Sequence, residues 1–219
     1  MDLDDNADKS IYYLLVEAVA WETAPLLIWI NGGPGCSSLI GWGTENGPFL
    51  ISDKDPSAGF VASDYAWNKE ANVLYVDQPA GIGFSSCNNT ANSTGPGDFC
   101  DFNDNNTAQD GLLFLQKWYE LFPEYKTHEL YMSGESYAGV YIPLWALAVH
   151  NYNQNSPAFH IPLNGTLVGN GCTNWEFDCL PATIDIAYHR AVISDEMYNS
   201  VLEAGCSNND DEVYQNRST

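Results

Sequence analysis

The stretch "YMSGESYAGVY", residues Tyr131–Tyr141, decides how the chain is read. A short apolar run leads into Gly-Glu-Ser-Tyr-Ala, and a helix-like segment follows. This is the pattern of a strand that turns sharply into a helix and exposes a serine at the turn. Such a turn needs small neighbours, and Gly134 and Ala138 stand two residues to either side of Ser136. Glycine is usual at the second of these places, so alanine is a mild departure. The helix N-terminus lies behind Ser136, and the backbone N–H of Tyr137 can then face a developing oxyanion. A plain tight turn would fit the same few residues, so the rest of the chain has to choose.

Working outward, "HELYMSG" (128–134) reads as the strand before the turn, and the residues after it as a helix. Three more apolar runs, "SIYYLLVEA" (10–18), "APLLIWI" (24–30) and "ANVLYVD" (71–77), are rich in β-branched and aromatic residues and predict strands. "LNGTLVGNG" (163–171) predicts another. From Thr107 to Leu121 apolar residues recur at helical spacing, with Thr107 as the N-cap, and 183–205 is mostly helical. Strands that alternate with helices and are apolar on both faces predict an α/β fold with a largely parallel sheet. Residues 88–107 are polar and predict an exposed loop, with Cys87 and Cys100 placed to staple most of it.

The composition excludes several function classes. With 29 Asp and Glu against 7 Lys and Arg, the formal net charge is −22. Direct nucleic-acid binding is ruled against, because phosphate contacts need cations. The charge fits either a solvated acidic surface or a protein that works in acid, where protonation relieves self-repulsion. No run of 18 apolar residues predicts a membrane span. Nor does any CxxC or Cys/His cluster predict a metal, and no cofactor is expected. Six cysteines and five N-x-S/T sequons (Asn88, Asn92, Asn105, Asn164, Asn216) favour an oxidising secretory route. The acidic opening "MDLDDNADKS" lacks the pattern of a signal peptide, so the chain reads as secretory without its leader.

"WINGGPGCSS" settles the reading of Ser136. Two adjacent glycines after a strand leave backbone N–H groups open to a ligand, and Gly33 is the candidate second oxyanion donor. Taken with "ENGPF", "WNKEANVLYVDQPAGIGFS", "YMSGESYAGVYIP" and "LVGNG", in this order and spacing, the chain resembles the serine carboxypeptidases of the α/β-hydrolase fold. The resemblance covers residues 10 to about 205. It implies that Ser136 is the acylated nucleophile, with Gly33 and Tyr137 forming the oxyanion hole. It also implies that Asn31, Gly32, Glu45 and Glu135 bind the free C-terminal carboxylate of a peptide, with Trp29 lining that site. Two glutamates facing a carboxylate make chemical sense only if one keeps its proton, so binding should weaken as pH rises. A lysosomal, vacuolar or extracellular setting is expected.

The resemblance also places a catalytic Asp and His far beyond the serine, and this chain offers poor substitutes. His150 is well along the helix after the turn, and His160 lies several residues before a strand's end. His189, four residues after Asp185, is better read as a helix-surface histidine. Residues 1–171 are expected to form the N-terminal part of the core and 172–219 the start of a helical insertion, incomplete at the C-terminal half. Cys36 is expected unpaired, because in relatives its partner lies in that half. The leading expectation is a serine-type carboxypeptidase acting on peptide and protein C-termini at acid pH, with homodimers compatible with the sequence. A carboxypeptidase-like acyltransferase and a non-catalytic remnant or binding protein remain alternatives.

Overall fold

A computed structural model describes residues 1–3, 9–52, 55, 57, 59–87, 102–155, 157–174 and 179–204. In chain order the elements begin with strands β1 (Lys9–Ser10), β2 (Tyr13–Val16) and β3 (Leu26–Ile30), then helix α1 (Leu39–Thr44). A hairpin β4 (Phe49–Ile51) and β5 (Phe60–Ala62) precedes β6 (Asn72–Val76) and β7 (Ser86–Cys87). Helix α2 (Asp104–Leu121), strand β8 (Leu130–Glu135), helix α3 (Ala138–Gln154) and strand β9 (Leu163–Gly169) follow. Helices α4 (Leu180–His189) and α5 (Asp195–Glu203) come last. The chain divides into two compact units, Met1–Asn170 and Gly171–Thr219.

The first unit is built on a five-stranded sheet in the order β2-β6-β3-β8-β9. Only the β2–β6 pair is antiparallel; β6–β3, β3–β8 and β8–β9 run parallel. The expectation of a largely parallel sheet therefore holds. The two most apolar strands, β3 and β6, are buried along their whole length and sit inside the sheet. Their side chains divide by period two: Leu26, Ile28 and Ile30 of β3 enter one core with Leu74 and Val76. Leu27 and Trp29 enter the opposite one with Val73 and Tyr75.

The larger core is closed by α2 and α3. Phe114, Leu115, Trp118 and Tyr119 of α2 recur at helical spacing and are fully buried. Burial of each such side chain contributes roughly 1.5–3 kcal/mol. Gly111 lets the two helices approach, because a Cβ there would stand 2.6 Å from the Trp145 ring of α3. Helix α2 begins one turn earlier than the apolar periodicity predicts. Its cap is Asn103, which accepts from Asn106 N while Asn106 Oδ1 accepts from Asn103 N, and Thr107 is buried inside the helix. Helix α1 and the β4–β5 hairpin have no counterpart among the sequence expectations.

In the second unit α4 and α5 are joined by a parallel stack of Tyr188 on Tyr198, with ring centroids 4.0 Å apart. Tyr198 Oη donates to Asp185 Oδ1 at 2.8 Å, and Cys172 is disulfide-bonded to Cys179. Cys36 is a free thiol. Cys87 is disulfide-bonded, and its expected partner Cys100 lies outside the described residues, as do the sequons at Asn88, Asn92 and Asn216. Among the described residues no helix is long and apolar enough to cross a membrane.

Candidate active site

The parallel strands finish level with one another. Trp29 pairs with both Tyr75 and Ser133, and Ile30 with Gly134. Asn31, Asp77 and Ser136 follow the last residues of β3, β6 and β8, so they emerge together at the carboxyl edge of the sheet, where ligands of open α/β sheets bind.

Ser136 sits between β8 and α3 at φ 58°, a left-handed conformation that costs a non-glycine residue on the order of 1–3 kcal/mol. Its neighbours are closely packed. A Cβ on Gly134 would stand 2.3 Å from the Ile30 carbonyl oxygen and 2.6 Å from Ala138 Cβ. Ser136 N donates to the Gly169 carbonyl at 3.1 Å and Gly139 N to the Ser136 carbonyl at 3.0 Å, while the serine side stays exposed. The glycine loop after β3 presses on this turn from the front. A Cβ on Gly32 would lie 2.3 Å from Tyr137 N and 2.9 Å from Ser136 Cβ, so only glycine permits the approach. Gly33 has φ +113°, and Cys36 N closes the loop onto the Gly32 carbonyl at 3.1 Å. The expected donors, Gly33 and Tyr137, thus belong to two segments that meet at the serine.

Asn31 is 2% exposed and organises the carboxyl groups. Its Oδ1 accepts from Trp29 Nε1 and from Gly41 N, both at 2.9 Å. Its Nδ2 donates to Glu45 Oε1 at 3.1 Å and to Glu135 Oε1 at 3.0 Å. All four hydrogen-bonding positions of the amide are used, so its orientation is fixed. Glu135 arrives as the last residue of β8. Glu45 arrives at the C-terminus of α1, where its N–H bonds the Gly41 carbonyl at 3.0 Å. Trp29, whose indole N–H donates to Asn31, meets Trp67 edge-on at 5.2 Å.

Burial pushes the Glu45 carboxyl above the usual carboxylate range; the Asn31 hydrogen bond opposes this and the Glu135 charge adds to it. Although Glu45 as a residue is exposed, its carboxyl end faces inward onto Asn31. Burial, and then the Glu45 charge, also push the Tyr75 phenol far up, so it remains a donor to Asn46 Oδ1 at 3.0 Å.

Asp77, which sequence reasoning did not single out, ties the loops together. It is 1% exposed and accepts from Ser37 Oγ (2.7 Å), Ser38 N (2.8 Å) and Phe84 N (3.0 Å). Ser38 Oγ in turn donates to the Val76 carbonyl at 2.6 Å and accepts from Asn31 N at 3.2 Å. The loops after β3 and β6 are thereby one hydrogen-bonded body. The available signal was an acid ending an otherwise apolar strand, which only a buried partner set makes tolerable.

The first unit's histidines stand away from Ser136. His128 lies before β8, buried, with Nδ1 2.6 Å from the Ala24 carbonyl. The length of β8 puts it roughly 20 Å from the serine. His160 precedes β9, whose start pairs with the start of β8, so it shares that far edge. His150 is near the end of α3, about 18 Å beyond Ala138 at 1.5 Å per residue. His189 belongs to the second unit, its ring 5.4 Å from Tyr188.

Known proteins resemble the chain over nearly its whole length. The family model described as serine carboxypeptidase matches residues 1–219. Serine carboxypeptidase-like 32 of Arabidopsis thaliana is 40% identical over 211 residues, which cover 94% of this chain and 43% of that protein. Serine carboxypeptidase 24 of the same plant is 39% identical over 206 residues, covering 93% and 42%. Among solved structures, a prohormone-processing carboxypeptidase from Saccharomyces cerevisiae superposes with a TM-score of 0.74 at 27% identity, over 95% of this chain and 45% of that one. The chain thus spans less than half the length of the relatives it matches, and its sheet and flanking helices are those of the α/β-hydrolase fold. By motif order, architecture and family match, the chain belongs to the serine carboxypeptidases.

Proposed function

We propose that the chain carries the nucleophile and the carboxylate-recognition site of a peptidase that removes C-terminal residues from peptides in acid. One observation carries this reading: a single buried amide, Asn31, holds two glutamates side by side next to an exposed elbow serine. Glu45, with its raised pKa, supplies a proton that a substrate carboxylate can share, while Glu135 and Asn31 keep the pair aligned. Gly32 lets the loop close on the turn, and the Trp29 indole N–H donates to Asn31.

In the chemical step Ser136 Oγ loses its proton to a general base and bonds to the scissile carbonyl carbon. Gly33 and Tyr137 N–H groups take the oxyanion charge. The C–N bond then breaks, the leaving amine takes the proton, and water hydrolyses the acyl-serine. The base comes from polypeptide outside the first unit, because its histidines stand at the wrong edge of the sheet or far along α3. The same observation favours a second reading for the chain on its own, that of a binding module without turnover.

A fluorophosphonate probe and a matched pair of peptides, one with a free C-terminus and one amidated, test the proposal. In the full-length protein Ser136 should be labelled, Ser136→Ala should abolish labelling, and only the free-acid peptide should be shortened. Equal cleavage of the amidated peptide would remove the carboxylate-recognition reading. Rapid labelling of the 219-residue chain alone would show that the base lies within it.

A further inference from the structure

The first turn of α2 reaches the site through two contacts. Asp104 accepts from Tyr137 Oη, at 3.2 Å to Oδ1 and 3.3 Å to Oδ2. Three residues on, the Thr107 carbonyl accepts from Gln78 Nε2 at 2.7 Å, and Gln78 is itself buried. Tyr137 directly follows the nucleophile, and Gln78 directly follows Asp77. One helical turn therefore braces both the elbow and the loop after β6. The reciprocal Asn103–Asn106 cap holds that turn in place.

The brace matters because Ser136 keeps its left-handed conformation only where its surroundings over-determine it. The Ser136 N–H to Gly169 bond and the close approach of Gly32 constrain it from the sheet and the glycine loop. Asp104 reaches the next residue, Tyr137, from a third element. The Tyr137 ring is also held edge-on against Tyr141 at 5.0 Å, so the hydroxyl has a fixed direction. Burial, then the charge and hydrogen bond of Asp104, push the Tyr137 phenol up to about 12, and it remains a donor across the working range of pH.

We propose that Asp104 is a positioning residue for acylation of Ser136: by holding the Tyr137 hydroxyl it fixes the residue whose backbone N–H stands beside the nucleophile. This rests on the reading of Ser136 as the acylated serine. Asp104 touches no reacting atom; it acts through Tyr137.

The test uses the full-length protein with Asp104→Ala, Tyr137→Phe, the double variant and Asp104→Asn, which keeps an acceptor. A blocked dipeptide gives kcat and KM, and a fluorophosphonate gives the rate of Ser136 labelling. The first two variants should each lower kcat by about three- to tenfold, well short of the roughly hundredfold cost of losing an oxyanion donor outright. KM should stay within about twofold, the double variant should be no slower than either single one, and Asp104→Asn should recover most of the rate. Additive losses, or kcat unchanged in folded Asp104→Ala, overturn the proposal. A second readout is independent of turnover: in protein labelled with 3-fluorotyrosine, the Tyr137 fluorine resonance, assigned through Tyr137→Phe, should move in Asp104→Ala. An unmoved resonance refutes the bond itself. If the resonance moves but Ser136 in the unaltered protein takes up no probe, the acylation reading has failed and the positioning role falls with it.

Discussion

Replacing Asn31 by alanine should cost about 2–6 kcal/mol of stability, and the figure follows from what the amide holds. Its Oδ1 is the acceptor for Trp29 Nε1 and Gly41 N, in a position 2% exposed. Removing it strands two buried donors at about 1–3 kcal/mol each. Against a total stability on the order of 5–15 kcal/mol this is a large fraction. Urea unfolding followed by tryptophan fluorescence should show a lower midpoint with an unchanged slope. Asn31→Asp separates the two ends of the amide. It keeps an acceptor for Trp29 and Gly41 but removes both donors to the glutamates and sets a third carboxyl against them. Like charges raise the folded-state pKa values, so the folded state binds more protons than the unfolded one above the ordinary carboxylate range. Stability of this variant must therefore fall as pH rises through that window. The reasoning is refuted if Asn31→Ala stays within about 1 kcal/mol of the parent, or if the Asn31→Asp loss is the same from about pH 4 to pH 7.

Glu45→Gln should abolish the pH dependence of binding to a free C-terminal carboxylate. The raised Glu45 pKa means that its donor proton is present in acid and lost as pH rises, whereas glutamine keeps an N–H donor throughout. Calorimetry with a non-cleaved peptide on either side of that transition checks this, and an equal decline in both proteins would exclude Glu45 as the titrating group. Gly32→Ala should slow Ser136 labelling by about a hundredfold or more, because its Cβ, placed 2.3 Å from Tyr137 N, must displace the oxyanion segment. Labelling at the parental rate would mean that the glycine loop does not close on the elbow.

The parts of the fold legible in the sequence are those where local sterics or burial restrict residue type. Gly134 and Ala138 are small because a Cβ on Gly134 would stand 2.3 Å from the Ile30 carbonyl oxygen and 2.6 Å from Ala138 Cβ. Strand β3 is apolar throughout, and β6 after Asn72, because both of their faces are buried. Helix α1 left no such mark. Its Gly41 and Gly43 lower helix propensity, yet Gly41 is required where it stands, since a Cβ would lie 2.2 Å from Trp29 Nε1. Tertiary contact decides that helix, and with it the placement of Glu45. The early start of α2 is hard to see in the sequence because Asn103 and Asn106 sit in a polar stretch, although their spacing is that of a reciprocal cap. The carboxyl pair lies beyond any local rule. Asn31 is 14 residues from Glu45 and 104 from Glu135, so only the resemblance to a family joined them before the fold did.

The acids of this chain do not all mean the same thing, and their partners tell them apart. Asp110 is paired with Lys9 at 2.6 Å near the surface, a contact worth little in water. Asp77 is buried, and three donors from two loops satisfy it, so its charge is balanced by structure. Glu45 and Glu135 differ from both, because what joins them is one neutral amide that supplies each with a single hydrogen bond. Among the described residues the hydrogen bonds to the pair come from this neutral amide and not from a cation, and a carboxylate approaching them meets repulsion unless a proton is shared. On the proposed reading, dependence on acid therefore arises at these two residues and not from the net charge of −22. Exposed carboxylates elsewhere are screened within about 10 Å at moderate salt and cannot set the protonation of a site that Asn31 holds in a partly buried corner.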